Sequence, residues 1–224
     1  MAYGFLDIAM TPSVRTAQAA MGAAEQWGSF QGNRAFDRFT DRETTFIAER
    51  DSFYMATVSE TGWPYVQHRG GAPGFLLVVD DQTLAFADYR GNRQYLSVGN
   101  LGADGRASLI LVDYPARRRL KIFARVEIVA LDAAPALAAQ LAGLDEGAVP
   151  ERIMLLHLEA FDWNCPQHIT PRFTKRQIAE AVRPLYEKVG ALEAENASLR
   201  AMLAGQQGPL KENALSGVAA ASDP

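Results

Sequence analysis

Phe53-Tyr54-Met55-Ala56-Thr57-Val58-Ser59 is followed by Glu60-Thr61-Gly62-Trp63-Pro64, and then by Tyr65-Val66-Gln67-His68-Arg69. The outer segments are rich in aromatic and β-branched residues, which suit a pleated, half-buried surface. The middle segment, with its glycine beside Trp-Pro, reads as a hairpin break. Two antiparallel strands follow from this, the second halted by Gly70-Gly71-Ala72-Pro73-Gly74. Downstream, Phe75 to Val79 and Thr83 to Ala87 flank Asp80-Asp81-Gln82, a second hairpin signal. Gln94 to Leu101 has helical spacing until Gly102-Ala103-Asp104-Gly105 breaks it. Ala107 to Val112 and Leu120 to Leu131 read as strands on either side of an Arg-rich turn. Pro135 to Leu144 reads as a short helix and Ile153 to Phe161 as the last strand. The expected class is mainly β with flanking helices: six or seven short antiparallel strands with local connections, forming a small barrel or curled sheet.

Outward from this core the chain changes character. Thr11 to Gln26 is Ala-rich, with Pro12 at a plausible helix start, and Trp27 to Arg34 reads as a loop. Thr40-Asp41-Arg42-Glu43 has the spacing of a capping box, and Phe46 and Ile47 give the helix after it an apolar face. The expected organisation is a helical extension over 1–39, the barrel over 40–173, a long helix over 174–204 and a polar, disordered tail over 205–224. In the long helix Ile178, Val182, Leu185, Val189, Leu192, Asn196, Leu199 and Leu203 alternate steps of four and three. That is the spacing of a coiled-coil seam, in which an Asn fixes register; the alternative is an amphipathic helix packed on its own barrel. Pro184 is expected to start or kink the continuous helix.

Composition removes several classes. At 224 residues the chain suits one substantial core. No apolar run reaches the roughly 18 residues of a membrane span, so no membrane partner is expected. Met1 to Met10 lacks a basic n-region and carries Asp7, unlike a signal peptide. Cys165 is the only cysteine, which excludes an intrachain disulfide and suits a reducing cytoplasm. A net charge of −4 argues against a general nucleic-acid binder.

Three clusters punctuate the strands: Gln67-His68-Arg69-Gly70-Gly71, Arg90-Gly91-Asn92-Arg93-Gln94 and Arg117-Arg118-Arg119-Leu120-Lys121. Guanidinium forks supported by amides and backbone N–H groups are what a phosphate needs. Arg69, Arg93 and Arg119 are therefore the leading candidates, with Asn92 and Gln94 as amides, Gly91 for close approach, and a helix N-terminus expected near Gly91. A nucleotide-type cofactor is the first hypothesis; solvated turn arginines are the alternative. His68 could lie near a bound ring, His157 reads as structural, and His168 could touch a ligand. Cys165 and His168 have no second pair to complete a zinc site, so no metal is expected. Neither a Ser-His-Asp set nor G-x-G-x-x-G is present, and the catalytic residues stay unknown.

Four segments in order resemble the pyridoxamine 5'-phosphate oxidase superfamily of FMN-binding split barrels, in particular its predicted flavin-nucleotide-binding branch. They are Arg50 to Val58 leading to Gly62-Trp63-Pro64, then Phe86 to Gln94, then Arg118 to Ile122, then Asn164-Cys165-Pro166-Gln167-His168-Ile169. The resemblance runs from about Glu43 to Arg172. It implies a six- to seven-stranded antiparallel split barrel, an obligate homodimer, and FMN in a cleft between subunits. The family's aromatic-Thr pair falls on Ala87 and Asp88, and its Ser-Arg-Lys clamp on Asn92, Arg93 and Gln94. Its Gln before a buried strand falls on Arg119. Leu77 stands where its lysine would be, and Trp163 and Arg172 match its late Trp and Arg. The implied cofactor set is Gln67, His68, Arg69, Gly70, Ala87, Asp88, Asn92, Arg93, Gln94, Arg119 and Lys121, with Gln167 and His168 reaching the pocket from the second subunit. The implied function is an FMN-dependent oxidoreductase acting on an unidentified small molecule. Two other functions stay open: pyridoxamine or pyridoxine 5'-phosphate oxidase, and a non-catalytic flavin-binding or sensor protein with a coiled-coil module. Related barrels also bind haem or deazaflavin.

Overall fold

The computed structural model describes residues 4–28, 37–144, 147–164 and 166–206. The chain divides into two units, residues 1–172 and 173–224.

The first unit is built on one seven-stranded sheet: β1 (Ser52–Val58), β2 (Pro64–Gly70), β3 (Leu77–Val78), β4 (Thr83–Tyr89), β5 (Arg106–Asp113), β6 (Arg118–Val129) and β7 (Pro150–Asn164). Their order is β2-β1-β5-β6-β7-β4-β3, every neighbour antiparallel. With its flanking helices this is a split β-barrel. Strict alternation along β5 and β6 sends Ala107, Leu109, Leu111, Leu120, Ile122, Ala124 and Val126 inward. There they meet Phe53, Met55, Phe75, Leu84 and Phe86, with Phe53 stacked on Phe75 at 5.5 Å. Full burial of each Leu, Ile, Val, Met or Phe side chain among them contributes about 1.5–3 kcal/mol.

Five short helices precede or interrupt the strands, and α6 follows β6: α1 (Phe5–Ala9), α2 (Pro12–Ala20), α3 (Ala24–Gly28), α4 (Asp41–Ala48), α5 (Leu96–Ala103) and α6 (Pro135–Ala142). Thr11 caps α2 by accepting from the Val14 N–H at 3.4 Å. The capping box at α4 forms as expected: the Thr40 N–H donates to Glu43 Oε2 at 3.1 Å, while Glu43 is otherwise buried. Glu43 also accepts the Trp163 indole N–H at 2.6 Å, and Trp163 meets Phe46 edge-on at 4.7 Å. That links α4 to the end of β7. On the outer face, Phe5 of α1 stacks on Phe123 of β6 at 4.3 Å. α6 covers the other side of β4 and β7, where Leu141 packs with Ala85, Ala87 and Ile153.

β7 carries two bulges. Asp88 pairs with Arg152 and Tyr89 with Pro150, leaving Glu151 as the extra residue. Phe123 pairs with Ala160 and Ala124 with Leu158, leaving Glu159 unpaired. A bulge re-aims the side chains around it. Met154, Leu156 and Leu158 face the main core before the second bulge, and Phe161 and Trp163 face it afterwards.

Three details differ from the sequence reading. β3 is only Leu77–Val78, because Phe75 and Leu76 are drawn into the core instead of pairing. The helix expected near Gly91 begins at Leu96, behind a loop with its own conformation. Trp27 and Gly28 end α3 instead of opening a loop; the rest of that loop, Cys165 and residues 207–224 of the expected tail lie outside the described residues.

The second unit contains α7 (Lys175–Gln206), which runs through Pro184 without ending. Among the described residues no helix is long and apolar enough to cross a membrane.

Candidate functional site

Successive residues of a strand face opposite sides. Along β2, Tyr65, Gln67 and Arg69 are half-buried on one side, while Val66, His68 and Gly70 are exposed on the other. The Tyr65 hydroxyl donates to Gln67 Oε1, fixing the amide. Arg69 reaches from β2 to β4, where its Nη1 donates to Asp88 Oδ1 at 2.6 Å. Arg152 of β7 donates to Asp88 Oδ2 at 3.3 Å. Asp88 is only 5% exposed, so one buried carboxylate meets two guanidiniums. Arg69 also lies over the Phe86 ring at 5.6 Å, and its Nε is buried without a hydrogen-bond partner in the chain.

Beyond β4, the chain from Arg90 to Tyr95 bends over this array. Arg93 (φ 63°) and Tyr95 (φ 55°) both adopt the left-handed conformation. It costs a non-glycine residue roughly 1–2 kcal/mol, so something must hold it. The Gln94 N–H donates to Asn92 Oδ1 at 3.2 Å, closing a local turn. The bulged Glu151 supplies the rest: its Oε1 accepts from Arg90 Nε at 3.1 Å and from the Tyr95 hydroxyl at 3.2 Å. Its Oε2 accepts from Arg152 Nη2 at 2.9 Å. These contacts, that with Arg90 first, hold the Glu151 carboxyl below the usual range. The Arg152 guanidinium lies over the Tyr95 ring at 4.9 Å. Arg93 is hydrogen-bonded to Tyr95, which raises its already high pKa, and it remains exposed.

Between these elements is a cleft of about 320 Å³. Tyr65, Gln67 and Arg69 form one wall, Asp88 and Tyr89 the floor, and the chain from Gly91 to Val98 the rim. The volume falls at the lower end of the ~300–1,000 Å³ usual for ligand pockets. A Cβ built on Gly91 would meet nothing within 4 Å. Two guanidiniums, three side-chain amides and the first turn of α5 suit an oxyanion.

Gln67, Arg69, Asp88, Asn92, Arg93 and Gln94 therefore come together as expected. The other seven expected residues do not line this cleft. His68 is on the outer face, edge-on to Tyr54 at 5.4 Å, and Gly70 shares that face. Ala87 points to the other side of β4 from Asp88, into the cluster under α6. Arg119 and Lys121 share the outer face of β6, since Leu120 and Ile122 take the inner one. Lys121 is bound to Asp162 at 3.0 Å and lies over Phe5 at 4.4 Å. Arg119 pairs with Asn164, at the end of β7 away from Arg152, and its Nε is buried without a hydrogen-bond partner. Gln167 and His168 follow that same end, with His168 at φ 61°. Roughly 40 Å of strand separates them from Arg152, at about 3.3 Å per residue. Trp163 is engaged by Glu43, and Arg172 lies over Tyr114 at 5.0 Å.

Sequence reasoning missed Tyr65, Tyr89, Tyr95, Glu151 and Arg152. The last two had one signal, a charged pair immediately before the apolar Ile153 run. Among the described residues no three His, Cys, Asp or Glu side chains form a group that could hold a metal.

A family model described as pyridoxamine 5'-phosphate oxidase matches residues 39–162. No curated protein matches the chain. Similar solved structures include a putative pyridoxamine 5'-phosphate oxidase from Lactobacillus delbrueckii, 19% identical over 56% of this chain and 94% of that one, with a TM-score of 0.44. HupZ from Group A Streptococcus is 18% identical over 60% of this chain and 100% of that one, with a TM-score of 0.47. A protein of the pyridoxinephosphate oxidase family from Clostridium acetobutylicum, related to general stress protein 26, is 15% identical over 61% and 94%, with a TM-score of 0.42.

Proposed function

Because the chain belongs to the pyridoxamine 5'-phosphate oxidase family, whose members commonly bind flavin nucleotides, we propose that this cleft binds FMN and that the protein is an FMN-dependent oxidoreductase acting on a small molecule. The observation that carries the reading is the convergence of Arg69 and Arg93 on one cleft together with the Gln67, Asn92 and Gln94 amides.

Arg93 is the principal phosphate anchor. It is exposed at the rim, and its guanidinium can give the phosphate two parallel charge-assisted hydrogen bonds. The Asn92 and Gln94 amides and the N–H groups of the first turn of α5 supply further donors. Arg69 is oriented by Asp88, which accepts from its Nη1 and fixes the plane of the guanidinium. FMN, when bound, supplies the two-electron oxidation and reduction; the protein supplies the anchoring and orientation of the cofactor.

A second copy of the chain completes the site. Gln167 and His168 follow the end of β7 opposite Arg152, and we assign their contribution to the partner's cleft. Leu77 in place of the family lysine, and Asn92 and Gln94 flanking the clamp arginine, favour a substrate other than pyridoxamine 5'-phosphate.

The test is the visible spectrum of the protein purified without added cofactor. A flavin spectrum that bleaches on addition of NADH or NADPH supports an oxidoreductase. A flavin that no reduced nicotinamide bleaches points to a binding protein, and a haem or deazaflavin spectrum overturns the FMN assignment.

A further inference from the structure

We propose that α7 pairs with α7 of a second copy of this chain as a parallel, in-register, two-stranded coiled coil. This inference does not rest on the flavin reading.

Over Ile178 to Leu203 the apolar positions repeat every seven residues. Val182, Val189, Asn196 and Leu203 take the first core position (a) of successive heptads, and Ile178, Leu185, Leu192 and Leu199 take the second (d). Most of this stripe is exposed on the single chain, from 42% at Val189 to 62% at Leu185. Branched Val at a, Leu at d and one Asn at a is the combination that favours two parallel strands. An antiparallel pair sets a against d, so Asn196 would face a leucine and leave its amide without a partner. Only parallel, in-register helices let Asn196 meet Asn196 of the partner subunit.

The charges flanking the seam identify the occupant. In a parallel pair the residue before each a position (g) faces the residue after the following d position (e) on the other helix, five places further along. Lys188 then faces a glutamate of the other copy at position 193, and Glu195 faces an arginine at position 200. Both pairs are attractive, and two-fold symmetry doubles them. The helix is complementary to itself. Pro184 and Gly190 fall on the side away from the seam, so neither disturbs it.

The test uses the full-length chain carrying Cys165→Ser, so that no native thiol remains. Leu199→Cys at the seam is compared with Ala201→Cys on the opposite side of the helix, under mild oxidation. The seam variant should convert largely to disulfide-linked dimers, and the outer variant should stay at least tenfold less linked. Adding Lys188→Glu should slow linkage severalfold, and adding Glu193→Lys to that variant should restore the rate. Absence of linkage at Leu199→Cys overturns the proposal, whether the helix packs elsewhere, pairs antiparallel or binds another protein. Equal linkage at both positions overturns it as well. Failure of the second charge change to rescue the first removes the register.

Discussion

Arg69 Nη1 and Asp88 Oδ1, 2.6 Å apart, join two strands that the hydrogen-bonding order places far apart. β2 is one edge of the sheet, and β4 lies next to the other edge. The ion pair therefore closes the split between them, with Arg152 on the second carboxylate oxygen. Removing Asp88 leaves the half-buried Arg69 charged and without its ion-pair partner, while Arg152 keeps Glu151, and this is far worse than losing an exposed pair. Asp88→Asn should lower stability by about 3 kcal/mol in urea unfolding. A loss below about 1 kcal/mol would mean that core packing alone keeps the two edges together.

Arg93 is exposed, so Arg93→Ala should leave thermal stability unchanged. Losing its charge-assisted contact, worth about 1.5–3 kcal/mol, should weaken FMN binding roughly tenfold to a hundredfold. Titration by flavin fluorescence quenching measures this, and wild-type affinity in the variant would refute Arg93 as the anchor.

Gly91 offers a separate check. A Cβ there has nothing within 4 Å to strike, so Gly91→Val should fold normally. Its methyl groups would occupy space at the rim, and FMN affinity should fall by at least about tenfold, or 1.4 kcal/mol. Equal affinity would mean that the ligand does not approach this part of the loop.

Glu43 should make stability depend on pH. Burial pushes its carboxyl pKa up, but hydrogen bonds from Thr40 and Trp163 outweigh burial, and the net shift is downward. A carboxylate with a depressed folded pKa contributes fully above the ordinary value near 4.3 and loses its contribution as pH falls through the folded value. Glu43→Gln should thus be less stable by about 1–2 kcal/mol at pH 7, and the gap should close toward pH 3. Melting curves across that range decide it; a pH-independent gap would exclude the carboxylate charge as the cause.

If Gln167 and His168 serve the partner's cleft, two defective chains can repair one another. His168→Ala and Arg93→Ala homodimers should each bind FMN weakly. After mixing and subunit exchange, each heterodimer carries one site with both residues intact, so about a quarter of all sites should regain wild-type affinity. No recovery despite exchange would place both residues in one protomer's site, and wild-type binding by the His168→Ala homodimer would place His168 in neither.

The strands were legible because alternation is a local signal: the burial of β5 and β6 follows the apolar pattern residue by residue. The capping box at Thr40 and Glu43 and the proline-led start of α2 were legible for the same reason. The site was only half legible. Its arginines stood out at strand ends, but reading each cluster as a block ignored the two-residue period that turns His68 and Ala87 away from Arg69 and Asp88. Arg119 and Lys121 were grouped with Arg69 by composition, whereas β6 carries them to the other end of the sheet. Glu151 and Arg152 could not be placed, because their role depends on β4 pairing with a strand more than sixty residues later, and on a bulge that no local pattern announces.

Glu159 is one residue too many for its ladder, and that surplus has a consequence for how the chain can vary in length. A shortening by one amino acid at this point would restore unbroken pairing and leave every later side chain on its present face, because Leu158, Phe161 and Trp163 then fall two apart. Loss of Asp162 instead would turn Trp163 away from the core, and Glu43 would lose its indole donor. Single deletions in β7 should therefore be tolerated at the bulge and not beyond it.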